Sequence, residues 1–101
     1  MLQITVASSI GTRARGLLGR RGLEPGEGLL LRPASSVHTA FMRFSIDLVF
    51  LYDEFRVLDI VEAVPPWRMK GRRGAGAVLE LRAGEAARQG IAPGDTLRIE
   101  G

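Results

Sequence analysis

A chain of 101 residues, 46% hydrophobic and 25% charged, is the size and make-up of one globular domain over residues 1–101 with a single modest core. With no cysteine and one histidine it has no disulfide framework, thiol nucleophile or thiolate metal site; neither a structural zinc site nor any cofactor is expected. The net charge of +3 is unevenly placed: Arg13, Arg15, Arg20 and Arg21 form one stretch without an acid and Arg68, Lys70, Arg72 and Arg73 another, leaving six basic against eleven acidic residues elsewhere.

Residues 2–7 alternate in polarity and predict a first strand. Ser8 or Ser9 is placed to cap a short helix over residues 9–19, with Ile10, Ala14, Leu17 and Leu18 on one side and Gly11, Gly16 and Gly19 weakening it. Residues 24–28 form a turn, and residues 28–32 a short strand stopped by Pro33. Residues 37–41 read as a strand and residues 46–52, nearly all apolar, as a buried one. Asp53 and Glu54 mark a hairpin turn into a strand over residues 56–64, which ends at Pro65 and Pro66 because neither can donate to a ladder. Residues 68–76 read as a basic, glycine-rich loop, residues 77–81 as a strand and residues 83–89 as a two-turn helix with Gly90 just past it. Pro93 and Gly94 turn the chain into a last strand over residues 96–100.

These elements lack a βαβ rhythm and internal repeats. The expected fold is therefore mostly β with two short helices, in a single small antiparallel or mixed β-barrel. No apolar run approaches the roughly 20 residues of a membrane span. The N-terminus lacks the basic region and long apolar stretch of a secretion signal. A cytoplasmic protein is expected, although a chain whose leader had been trimmed would read the same way.

Residues 36–50 concentrate the chemistry. His38, the only histidine, stands close to Thr39, Arg43 and Asp47 in an otherwise apolar segment. Such a cluster costs stability unless its members are paired, so it is either a satisfied structural network or a site. His38 is a candidate general base, because imidazole is the side chain most often used for proton transfer, with Asp47 to orient it. Strand alternation separates them, however, and a bulge near residues 40–42 is needed to bring them together. Arg43 and Asp47 stand roughly 13 Å apart on a straight strand at about 3.3 Å per residue. Each needs another partner, and Glu80 and Arg20 are the candidates. Arg20, at the end of the first predicted helix, can present its guanidinium to a carboxylate or phosphate.

Several blocks together resemble a known family. Gly16-Leu17-Leu18-Gly19-Arg20 is followed by Gly28-Leu29-Leu30-Leu31, Val37-His38-Thr39, Met42-Arg43-Phe44, Ile46-Asp47 and Val49-Phe50. The chain closes with Val78-Leu79-Glu80-Leu81, Ala83-Gly84, Gly90-Ile91 and Gly94-Asp95. In that order they are similar to the domain-of-unknown-function 192 family. The resemblance implies a small bacterial or archaeal β-rich domain for which no general activity is established. Many members carry Trp-Met-Lys-Asn-Thr where this chain has Phe41-Met42-Arg43-Phe44-Ser45, so the indole and the asparagine are missing here.

No nucleophile elbow, phosphate loop or carboxylate pair is present. The favoured reading is a small binding or accessory domain that holds a polar or anionic ligand, or a protein partner. Its expected ligand-binding residues are Arg20, His38, Thr39, Arg43, Asp47 and Glu80. The alternative is a small hydrolase or lyase with His38 as general base. A nucleic-acid module ranks third, because one tryptophan and one tyrosine offer little stacking surface. Trp67 beside the basic loop is a candidate ligand-stacking residue.

Overall fold

The computed structural model describes residues 3–7, 23–40 and 42–99. The predicted helix over residues 9–19 and Arg20 lie outside the described residues. Among the described residues, seven strands make two sheets: β1 (Gln3–Ala7), β2 (Glu27–Leu31), β3 (Ser36–His38), β4 (Ile46–Leu51), β5 (Val57–Val64), β6 (Met69–Gly71) and β7 (Ala77–Arg82). A 3-10 turn, Asp53–Phe55, joins β4 to β5, and a short helix, α1 (Glu85–Arg88), follows β7.

The larger sheet has the order β1-β2-β7-β4-β5, and β3 pairs with β6 in a separate two-stranded ribbon. The expected barrel is corrected: β1 and β5 end opposite sides of an open sheet, and the ribbon covers one face instead of joining the edges. β1 and β2 run parallel, which an absence of βαβ rhythm does not anticipate; the other pairs are antiparallel.

The sheet is central because β4 and β7 are buried on both faces. Ile46, Leu48 and Phe50 of β4 and Val78 of β7 join Leu29, Leu31, Val37 and Met42 in one core, beneath the β3–β6 ribbon. Val49, Leu51, Leu79 and Leu81 face the other way and pack with Leu30, Val57 and Ala86. A strand buried on both faces reads as a near-continuous apolar run, which residues 46–51 present with Asp47 as the one exception.

Over its described residues, 96–99, the predicted last strand does not form a ladder. Thr96 makes an isolated bridge to Arg56, Leu97 N donates to Phe55 O at 2.9 Å, and Leu97 and Ile99 pack on the second core. The segment is held by a few bonds at the start of β5 and not by a ladder. Conversely, β6 lies inside the predicted basic loop. It has no apolar pattern of its own and is a strand because Ser36, Val37 and His38 pair with Gly71, Lys70 and Met69.

Candidate functional site

Thr39 sets the geometry of the most exposed apolar surface. It follows β3 and is fully buried. Its hydroxyl donates to Pro65 O at 2.7 Å and accepts from Arg68 N at 2.9 Å. Its own N–H donates to Arg68 O at 2.8 Å, and its carbonyl accepts from Trp67 N at 3.1 Å. One small side chain and its backbone therefore clamp the whole turn between β5 and β6. Within that turn Trp67 has φ +65, a left-handed conformation that a bulky side chain adopts only when its surroundings impose it.

The clamp leaves Trp67 61% exposed and Met69, two residues on, 73% exposed. His38 lies directly across the ribbon from Met69 and is exposed as well. Alternation turns Ser36, His38, Met69 and Gly71 outward, while Val37 and Lys70 turn towards the sheet. Gly71 is fixed by close approach: a Cβ there would stand 3.1 Å from Ser36 Cβ and 3.2 Å from Ser35 O. Arg68 Nη1 bonds to the carbonyl of Trp67 at 3.2 Å.

Arg72 is committed internally. It pairs with Asp59 of β5 through Nε, and its guanidinium lies 5.5 Å from the centroid of the buried Phe50 ring. The hydrogen bond from Arg72, with a second from Ile60 N–H, holds the Asp59 carboxyl below its ordinary value. Arg68 and Arg73 are exposed and Lys70 is half-buried, so β6 and the residues flanking it carry cationic side chains along the same segment as Trp67 and Met69; Arg43 is exposed as well.

Asp47 lies elsewhere. It is fully buried on the face of β4 that packs against α1, and the ribbon with His38 covers the opposite face. Oδ1 accepts from Ala63 N at 2.9 Å, and Oδ2 accepts from Gly84 N and Ala86 N, each at 3.0 Å. Ala63 sits at φ +50 where the β4–β5 register shifts between Ile46 and Leu48. The bulge is thus in β5, opposite Asp47, rather than near residues 40–42. A carboxylate from a neighbouring strand caps both that bulge and the first turn of α1, where Gly84 at the N-cap has no side chain to do so. Glu80 is buried on the other face, since it pairs with Leu29 and Leu48 while Asp47 pairs with Leu81. The structure therefore does not gather His38, Arg43, Asp47 and Glu80 around one cavity.

The sequence reading missed three features. Met69 was hidden in an apparent loop. The left-handed Trp67 has no local sequence signal. Glu85, readable only as an acid near a helix start, is buried and accepts from Arg88 Nε at 2.9 Å, Gln89 Nε2 at 2.7 Å and Gly26 N at 3.1 Å. The Arg88 bonds lead in holding its carboxyl at about 2, well below its ordinary value of 4.5. A separate surface hollow of about 610 Å³ is lined by Tyr52, Asp53, Glu54, Arg56, Gly74 and Thr96, among others. Among the described residues no three His, Asp or Glu side chains converge as a metal-holding group, and no helix is long and apolar enough to cross a membrane.

Two crystal structures share this architecture. One, from Sinorhizobium meliloti 1021, is provisionally assigned as a transcription regulator; it is 27% identical, with a TM-score of 0.86 over 96% of this chain and 81% of that one. The other, from Novosphingobium aromaticivorans, is a protein of unknown function; it is 28% identical, with a TM-score of 0.86 over 97% of this chain and 75% of that one. No curated protein matches. The family model DUF192, described as Uncharacterized ACR, matches residues 1–99. The chain belongs to the DUF192 family.

Proposed function

We propose that the protein is a binding or accessory domain whose contact surface is the β3–β6 ribbon, and that it takes an anionic or polar partner there. The observation that carries this reading is Trp67, held left-handed by Thr39 and yet 61% exposed, next to Met69 at 73%. Strained backbone at a bulky exposed residue is costly, and such outliers cluster at binding sites. Large exposed apolar side chains with a polar rim are the usual mark of a contact surface.

In this reading His38 and Arg43 are contact residues, one a hydrogen-bonding group and one a cation. Arg20 keeps an anion-contact role on sequence grounds alone. Thr39 is a positioning residue for Trp67. Asp47 supports the frame through its three backbone bonds, and Glu80 belongs to the layer beneath the ribbon. A catalytic role for His38 has less support, because both oxygens of Asp47 are bonded on the other side of the sheet.

The test is a screen of small anions and sugars by the fluorescence of Trp67, the chain's only tryptophan. Binding should weaken with added salt, and Arg43→Ala should reduce affinity more than His38→Gln does. A hit that is turned over, with turnover falling ~100-fold on His38→Gln while affinity survives, would establish the hydrolase or lyase reading instead.

A further inference from the structure

We infer that the outer edge of β6 accepts an extended acidic peptide from a protein partner as a third strand of the ribbon. This rests on the contact-surface reading above and specifies its occupant.

The ladder geometry supplies the first argument. Arg72 N donates to Ser35 O at 3.0 Å and Thr39 N donates to Arg68 O at 2.8 Å, on either side of the Val37–Lys70 pair. In an antiparallel ladder hydrogen-bonded pairs alternate with non-bonded ones, so the backbone groups of Met69 and Gly71 point away from β3. Among the described residues no strand pairs with that side of β6. Gly71 O accepts from Arg72 Nη1 at 2.8 Å, which leaves its N–H and both groups of Met69 directed at the edge. Main-chain bonding of this kind is how open sheet edges capture peptides.

Charge supplies the second argument and selects the occupant. From Pro65 to Leu79 the chain contains Arg68, Lys70, Arg72 and Arg73 and no acid. Arg72 is paired with Asp59, while Arg68 and Arg73 are exposed and Lys70 is half-buried. Juxtaposing two such edges would oppose like charges, so the edge disfavours a second copy of itself. An acidic strand meets the opposite situation. Side chains of an added strand alternate between faces. Carboxylates on the Lys70 side and apolar side chains beside Met69 and Trp67 define the partner as a segment with acids at every second position. A nucleic acid would use the same cations but neither the backbone groups of the edge nor Met69.

The experiment is a Trp67 fluorescence titration of the full chain with an end-blocked octapeptide of alternating glutamate and valine. The comparison probes are the same peptide N-methylated at every second residue in each of the two frames, an alternating lysine and valine octapeptide, and an oligothymidylate of equal charge. The glutamate peptide should bind, one N-methyl frame should abolish binding, and Lys70→Glu should weaken it about five- to tenfold. The lysine peptide should not bind. If both N-methyl frames bind as well as the parent, strand addition is wrong while the ribbon surface stands. If the oligothymidylate binds more tightly than the peptide, the occupant is a nucleic acid and the inference is overturned. If nothing that binds is affected by Met69→Ala or Lys70→Glu, both the inference and the surface reading fail.

Discussion

Asp47 is held within an otherwise apolar strand by three backbone N–H groups, from Ala63, Gly84 and Ala86, that donate to its carboxylate. Removing it should strand those donors. Asp47→Ala is expected to cost about 3–5 kcal/mol in denaturant melts, the range for breaking a buried charged network. His38→Gln, on the exposed ribbon, should change stability by less than about 0.5 kcal/mol. Equal costs would mean that the two residues share an environment after all. The sequence made Asp47 conspicuous, but its chemistry was illegible there, since the donors lie 16, 37 and 39 residues away along the chain. Glu85 gives a pH signature. Its folded pKa of about 2 lies below the ordinary 4.5, so the unfolded chain binds the proton more readily. The stability it contributes is fully present above about pH 4.5 and is lost as pH falls through about 2. Glu85→Gln should flatten the decline of the urea midpoint between pH 5 and pH 2. A decline as steep as in the parent would assign the acid sensitivity to other groups, among them Asp59, whose depression has the same sign.

At the scale of elements, the turn between β5 and β6 shows why part of the site escaped sequence reasoning. Pro65 and Pro66 announced the end of a strand correctly. Three residues of a basic, glycine-rich segment then form β6, because β3 provides the register and Thr39 the clamp. Nothing local in Met69-Lys70-Gly71 specifies a strand. Thr39→Val keeps the shape but removes the acceptor for Arg68 N–H. It should cost about 1–3 kcal/mol. It should also shift the emission of Trp67, because the turn that orients the indole loses its side-chain bonds. Unchanged emission together with unchanged stability would show that the backbone bonds of Thr39 suffice.

Across the whole molecule, the strands with strong apolar patterns were legible: β2, β4, β5 and β7 fall within a residue or two of the expected spans. That the sheet stays open was not, because a strand count does not say which strands are edges. The two-faced burial of β4 makes a quantitative claim. Phe50 is fully buried beneath Arg72 and should cost ~3–5 kcal/mol as Phe50→Ala, against a change within about 0.5 kcal/mol for the exposed Arg73→Ala. Similar losses in the two variants would misplace the core strand. The central claim concerns where the molecule makes contact. Amide chemical shifts recorded while the alternating glutamate and valine peptide is titrated test it most directly. The account predicts that the largest changes fall on residues 36–38 and 67–71. Changes centred instead on the hollow around Tyr52, Glu54 and Arg56 would contradict it.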